Sequence, residues 1–168
     1  MSPSLTLVTL ADHPDLLPTL QAWLGNRRTP AFSPAHCFIL LAARARVAHG
    51  AYGVPAGTAS LTPRGLDSRA DLTPWLANLY VPPAYRGRGH AQRLVAAVES
   101  AARAARVPTL WLVTRSAAPL YARLGWQPVG PTLFHGDPAT LMRRDLAPIA
   151  PPLLAQSAKP YRVSSAAT

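Results

Sequence analysis

The feature that most constrains the fold is a strand, a long helix and a second strand in close succession. Residues 75–81 (WLANLYV) and 110–114 (LWLVT) predict buried strands, and residues 90–106 between them predict a helix. Its apolar residues recur on one face: Ala91, Leu94, Val95, Val98, Ala101, Ala102 and Ala105. A connection of this length joins parallel strands. The chain is therefore expected to contain a parallel pair covered by a helix.

The remaining elements predict that the sheet is mixed. Residues 5–10 predict an edge strand, and residues 37–43 and 57–63 predict a hairpin. A first helix is expected from Asp12, as its cap, to Trp23, with Gly25 ending it. A short helix ending at Gly125 and two closing strands complete the pattern. The expected fold class is α/β, a single domain with a mixed central β-sheet flanked by helices.

Length and the terminal composition set the domain boundaries. The 168 residues correspond to one domain, which we place at residues 1–147. Residues 148–168 contain four prolines and many small residues, and we expect them to form a mobile tail.

The charge balance suits an anionic partner. Lys and Arg number 17 against 7 Asp and Glu, a formal charge of +10, which fits nucleic acid, an anionic membrane or a phosphorylated small molecule. All but one of the cations are arginine, a bias that a GC-rich coding sequence would also produce. Aromatic residues amount to 7% and do not alternate with basic ones, which argues against a single-stranded nucleic-acid platform.

Other classes are disfavoured by what the sequence contains. The single cysteine, Cys37, cannot form an intrachain disulfide. No apolar run approaches the ~20 residues that a membrane span needs, and the first residues lack a basic leader. The five histidines show no metal-ligand spacing. A cytoplasmic protein without a metal or a membrane partner is expected.

The connection VPPAYRGRGHA, residues 81–91, is suited to phosphate. A helix N-terminus presents unpaired amides and the positive end of the helix dipole. Gly87 and Gly89 leave these amides accessible, and Arg86 and Arg88 add charged donors. The stretch is neither a P-loop, since no Gly-Lys-Ser/Thr occurs, nor a Rossmann fingerprint, since Gln92 occupies the position of the third glycine.

Two stretches in this order resemble the GCN5-related N-acetyltransferase (GNAT) superfamily, and a bacterial branch of it in particular. VPPAYRGRGHA resembles motif A, with Arg86, Gly89 and Ala91 at its defining positions. LWLVTRSAAPLYARLGW resembles motif B, with Tyr121 on a short helix before Gly125 and an aromatic residue. The resemblance covers about residues 38–146.

The resemblance implies a fold, a co-substrate and its contacts. The two parallel strands would splay apart, and acetyl-CoA would enter the gap. Backbone groups of the first strand would pair with the pantetheine arm, the turn would hold the diphosphate, and a hydroxyl after the second strand would bond to the arm. The implied residues are Leu79, Tyr80, Val81, Arg86, Gly87, Arg88, Gly89, His90, Ala91, Thr114 and Ser116.

Tyr121 is the implied general acid. A neutral amine would attack the thioester carbonyl, and the expelled thiolate, with a conjugate-acid pKa of about 8.5, would need a proton that a phenol with a pKa of about 10 can supply. The alternative is a core tyrosine, because Leu120, Tyr121 and Leu124 form an apolar stripe.

The general base and the acceptor are less defined. Some relatives carry a glutamate early in the strand before motif A, where this chain has Trp75, and others carry one before motif B, where it has Thr109 or Leu110. Glu99 is expected on the polar face of the long helix, and Asp67 and Asp71 could approach the acceptor mouth. No base is assigned. The expected mouth segments, residues 17–34, 64–73 and 134–139, carry several arginines. They favour a small primary amine with an apolar or acidic body, or a peptide N-terminus, over a polyamine. A homodimer is compatible with these features.

The absence of an assigned base keeps open a non-catalytic CoA-binding module or a basic nucleic-acid-binding module. Nucleic-acid binding would weaken steeply with salt, whereas an enzyme would release thiol from acetyl-CoA.

Overall fold

Seven strands form one sheet in the computed structural model, which describes residues 5–25, 34–42 and 53–146. The spatial order is β1-β2-β3-β4-β5-β7-β6. The strands are β1 (Leu5–Thr9), β2 (Cys37–Ala42), β3 (Val54–Thr62), β4 (Trp75–Tyr80), β5 (Thr109–Thr114), β6 (Gln127–Phe134) and β7 (Asp137–Asp145). The helices are α1 (Leu17–Leu24), α2 (His90–Ala104) and α3 (Ala118–Arg123).

The sheet is mixed, as the sequence predicts. β4 and β5 are neighbouring parallel strands joined by α2, and every other pairing in the sheet is antiparallel. β1 lies at one edge, which confirms its assignment, and β6 lies at the other. The carboxyl ends of β4 and β5 therefore lie at the same end of the sheet's strands, next to the start of α2 and to the turn between β6 and β7.

β4 and β5 are hydrogen-bonded as neighbours only at the start of β4. Their ladder contains only the pair Trp75 and Trp111. On its other side β4 carries a bulge, because Ala77 pairs with Ser60 and Tyr80 with Thr58, so that two residues oppose one. Asn78 in this bulge has a φ of 57°. The bulge lies in the part of β4 that no longer pairs with β5, along the expected cleft between the two strands.

The two longer helices cover opposite faces of the sheet. Leu94, Val95 and Val98 of α2 are buried in the main core with Leu110 and Leu112 of β5 and Met142 of β7. Gly57 of β3 allows this approach, since a Cβ there would lie 2.9 Å from Leu94 Cδ1. Leu20 of α1 packs instead on the other set of alternating side chains, which includes Ile39.

The structure corrects several local expectations. Asp12 does not cap a helix; its carboxylate accepts a hydrogen bond from Thr9 at 2.6 Å, and the first helix begins with a 3-10 turn at Pro14–Leu16 before α1. Glu99 is buried, at 7% exposure, rather than on a solvated face. The predicted loop at residues 26–33 and the predicted tail at 148–168 lie outside the described residues.

Within the described ranges, every helix is too short or too polar to span a lipid bilayer.

Candidate functional site

The backbone conformation of the turn between β4 and α2 leaves the start of α2 accessible. Pro83–Tyr85 form a 3-10 turn, and Gly87 and Gly89 have φ values of 72° and 75°, which residues with a Cβ rarely adopt. Gly89 occupies the N-cap of α2, and no side chain caps this helix end. The first amides of α2 are therefore available to an anion.

Arg86 has a structural contact within this turn. Its Nε donates to the Val81 carbonyl at 2.9 Å, which ties the end of β4 to the turn. The Val81 carbonyl, implied by the resemblance as a partner of the pantetheine arm, is thus already engaged. The Arg86 side chain is otherwise exposed, as is Arg88.

His90 is buried at the first position of α2, with 3% exposure. Its Nδ1 lies 2.9 Å from the Tyr85 carbonyl, so Nδ1 carries the hydrogen of a neutral ring. Burial lowers the pKa of His90, and the charges of Arg93 and Arg88 lower it further. His90 therefore braces the turn as an uncharged side chain, and it has a buried Nε2 without a hydrogen-bond partner within the described part of the chain.

A cavity of about 490 Å³ lies between this turn and α3. The turn contributes Arg86, Gly87, Gly89, His90 and Ala91, which the sequence predicts as cofactor contacts. α3 and its end contribute Leu120, Arg123 and Leu124. Arg123 is not among the residues predicted from the sequence, although its spacing from Leu120 and Leu124 places all three on one helical face. With Arg86 and Arg123 on its walls and no lining carboxylate, the cavity favours an anion.

The cleft side of β4 lacks a strand partner. Beyond Trp75 the backbone of β4, including Leu79 and Tyr80, forms no ladder with β5. Tyr80 packs against Trp23 of α1, with ring centroids 5.4 Å apart. The free edge of β4 can therefore accept an extended ligand by strand-like pairing.

Tyr121 lies on α3, next to this cavity but not among its lining residues. It is 6% exposed, and its ring meets that of Trp126 edge-on at 6.0 Å. Burial raises the pKa of the Tyr121 phenol from 10.0 to about 12. The phenol therefore keeps its proton throughout the physiological range.

The residues after β5 shape the approach to α3. Thr114 Oγ1 accepts a hydrogen bond from the Ala117 amide at 3.0 Å and so fixes the turn before α3. Its oxygen is engaged in this turn, whereas Ser116 is exposed. Of the two hydroxyls predicted to contact the arm, that of Ser116 is therefore the more accessible to a ligand.

The described residues include every aspartate and glutamate of the sequence: Asp12, Asp15, Asp67, Asp71, Glu99, Asp137 and Asp145. Asp67 and Asp71 lie in the connection from β3 to β4, where Leu66 and Leu72 belong to one apolar cluster with Phe134 at the end of β6. That these two aspartates approach the acceptor mouth stays a prediction, and this cluster brings two of the expected mouth segments together. Hydrogen bonds from Arg69 also lower the pKa of Asp71.

Asp137 is the carboxylate that starts β7 at the cleft edge. It pairs with Arg115 at 2.8 Å, and both side chains are about half exposed. Arg115 also lies 5.6 Å from the centroid of the Phe134 ring. Across the described ranges, no three histidine, cysteine or acidic side chains are grouped closely enough to hold a metal ion.

The comparisons with known proteins agree with this geometry. A family model described as an Acetyltransferase (GNAT) domain matches residues 34–128, more than half of the chain. The chain therefore belongs to the GNAT acetyltransferase family, which confirms the resemblance read from motifs A and B. No curated protein sequence matches it.

Solved structures share the fold at low identity. Arabidopsis thaliana Naa50, in complex with the bisubstrate analogue CoA-Ac-MVNAL, is 15% identical with a TM-score of 0.62, over 84% of this chain and 99% of that one. The acetyltransferase yncA of Salmonella typhimurium, with acetyl-CoA, is 18% identical with a TM-score of 0.56, over 90% and 98%. N-acetylglutamate synthase from Neisseria gonorrhoeae, with CoA and N-acetyl-glutamate, is 17% identical with a TM-score of 0.62, over 88% and 36%.

Proposed function

We propose that the protein transfers the acetyl group of acetyl-CoA directly to an amine, with Tyr121 as the proton donor. The observation that carries the proposal is the cationic cavity where the uncapped start of α2 faces α3, at the open end of the cleft between β4 and β5. Family membership supports the same activity.

The residues of the turn fit a diphosphate. Ideal Cβ atoms on Gly87 and Gly89 would meet no atom within 4 Å, so the space above both backbones is open to a ligand. The free α2 amides would donate to phosphate oxygens, while Arg86 and Arg123 would approach from opposite walls. Two of the structural neighbours contain acetyl-CoA or coenzyme A.

The free edge of β4 fits the extended arm that joins the diphosphate to the thioester. Amide and carbonyl groups of Leu79 and Tyr80 would bond to it in the manner of an added strand. This pairing would direct the thioester along β4 toward the bulge at Asn78. Ser116 would approach the arm from the β5 side.

Tyr121 would protonate the departing sulfur. The amine nitrogen forms a bond to the carbonyl carbon, the C–S bond breaks, and the sulfur leaves with the electron pair. The nitrogen loses one proton as the amide forms, and this proton replaces the one that Tyr121 gives to the sulfur. Because the Tyr121 pKa is about 12, this phenol is a weaker acid than a solvated tyrosine. Its contribution would therefore begin as a hydrogen bond to the developing thiolate and end in proton transfer.

The charge at the cleft edge favours a neutral or weakly basic acceptor. Asp137 is already paired with Arg115, so little net negative charge remains there to attract a polycation. An α-amine, with a pKa of about 8, is neutral far more often at pH 7 than a lysine-type amine with a pKa of about 10.4. A small primary amine or a peptide N-terminus is the acceptor class that these features support best.

A thiol-release assay tests this proposal. Acetyl-CoA would be offered with the peptide MVNAL, which is part of the neighbour's bisubstrate analogue, and with glutamate, phenethylamine and spermidine. We expect MVNAL or phenethylamine to exceed spermidine in kcat/KM. Fastest turnover of spermidine would refute the acceptor class, and no release above background with any of the four would refute the enzyme assignment.

A further inference from the structure

A buried carboxylate lies outside the candidate cavity and has no part in the mechanism above. Glu99, in the middle of α2, is 7% exposed. The Trp126 indole N–H donates to its Oε1 at 3.0 Å, and Arg103 donates to its Oε2 at 3.1 Å. Arg144 Nε lies 3.7 Å from Oε1. A carboxylate removed from water is costly unless it is paired, so these partners are required by its burial.

The partners of Glu99 fix the turn that follows α3. Arg144 Nη1 donates to the Gly125 carbonyl at 2.6 Å. Trp126, itself 2% exposed, donates its amide to the Tyr121 carbonyl at 3.0 Å and also meets the Tyr121 ring edge-on. Both the backbone and the ring of Tyr121 therefore contact a residue that Glu99 holds.

α3 depends on such contacts for its position. It has six residues, and no side chain caps its start. A helix this short is not stable by itself, so tertiary contacts must place it. Glu99 belongs to α2, the helix whose start forms the other wall of the cavity. The Glu99–Trp126 bond thus joins the two walls at a point away from the ligand.

From this geometry we propose that Glu99 is a positioning residue: through the Trp126 indole it sets where Tyr121 and α3 lie relative to α2. This inference rests on the proposed function for the catalytic role of Tyr121. A displacement of a reacting group by 1 Å can cost about 100-fold in rate, so the loss of this bond is expected to lower kcat more than acetyl-CoA affinity.

Two variants weaken the Glu99 contacts in different ways. Glu99→Gln keeps a hydrogen-bond acceptor but removes the charge that holds Arg103 and Arg144. Trp126→Phe keeps a ring against Tyr121 and removes the indole donor, and it serves if Glu99→Gln does not fold. Asp145→Asn is the control, because Asp145 also accepts a hydrogen bond and pairs with an arginine but contacts neither α2 nor α3 in these interactions.

The first readout is the NMR signal of ¹³Cζ-labelled tyrosine, with Tyr121 assigned by its absence in Tyr121→Phe. We expect Glu99→Gln and Trp126→Phe to shift this signal and Asp145→Asn to leave it in place. Glu99→Gln and Trp126→Phe variants that fold but leave the Tyr121 signal unchanged would overturn the inference, even if their melting temperatures fall.

The second readout is a double-mutant cycle in kcat, measured with the best acceptor among the four amines named above. We expect Glu99→Gln to lower kcat about tenfold or more in the wild type and less than about twofold in a Tyr121→Phe background. An equal loss in both backgrounds would contradict the positioning role. If Tyr121→Phe alone retains full kcat, the proton-donor assignment fails, while the NMR result still decides whether Glu99 positions the ring.

Discussion

Tyr121→Phe allows the buried state of the proposed proton donor to be measured directly. The substitution preserves the ring that packs against Trp126 and removes only the hydroxyl. In the folded chain burial raises the phenol pKa to about 12, against about 10 in the unfolded chain. Below pH 10 the phenol is neutral in both states, so burial incurs no charge penalty. As the pH rises from 10 toward 12, the unfolded state releases its proton first and the wild type loses stability.

The size of the effect follows from the shift. Two pH units correspond to about 3 kcal/mol, of which about 2 kcal/mol is accessible by pH 11.5. Urea unfolding of the wild type and of Tyr121→Phe from pH 8 to 11.5 measures it, and the difference between them removes the titration of all shared groups. We expect a constant difference up to pH 10 and then a relative loss for the wild type. A difference that stays flat to pH 11.5 would refute the burial of this phenol.

Three further substitutions test other parts of the structure. Gly57→Val should lower the free energy of unfolding by about 1–3 kcal/mol. Its Cβ would lie 2.9 Å from Leu94 Cδ1 and 3.0 Å from the Tyr80 carbonyl oxygen. Gly130→Ala, whose Cβ would meet no atom within 4 Å, is the control in the same urea-unfolding experiment. Arg123→Ala should raise the KM for acetyl-CoA about tenfold, because a charged hydrogen-bond donor to the ligand is lost. Arg143→Ala, outside the cavity, should leave this KM unchanged. Equal effects of the two substitutions would argue against a phosphate contact at Arg123. Asp137→Asn should change the unfolding free energy by less than about 1 kcal/mol because its ion pair is half exposed, and a larger loss by urea unfolding would contradict this.

Sequence periodicity predicted the part of the fold that carries the site. Each of the three elements shows its full apolar periodicity within its own short stretch of sequence: the strands at 75–81 and 110–114, and the helix between them. The structure confirms all three, with β4, α2 and β5 in parallel connection. Local pattern was sufficient because one helix and two strands of this length can pack in few ways.

The sequence could not predict the surroundings of Glu99. Its helical position assigns it to the polar face, and that assignment assumes that the face meets water. Its burial depends on Trp126 and Arg144, which are 27 and 45 positions away in the sequence and reach it only when β6 and β7 close the sheet. The same limit applies to Arg86, whose charge predicts a ligand contact but whose Nε bonds to Val81.

The most direct test of the account is thermal unfolding with and without acetyl-CoA. At a concentration of about 100 times Kd, a ligand that binds only the folded state stabilises it by about 2.7 kcal/mol, which corresponds to roughly 5–10 °C for a domain of this size. Gly89→Glu places a carboxylate over the free amides of α2, while Gly130→Glu adds the same charge in β6. We predict that acetyl-CoA at 1 mM raises the melting temperature of the wild type and Gly130→Glu but not of Gly89→Glu. No rise in the wild type, or an equal rise in Gly89→Glu, would contradict the assignment of this turn as the acetyl-CoA site.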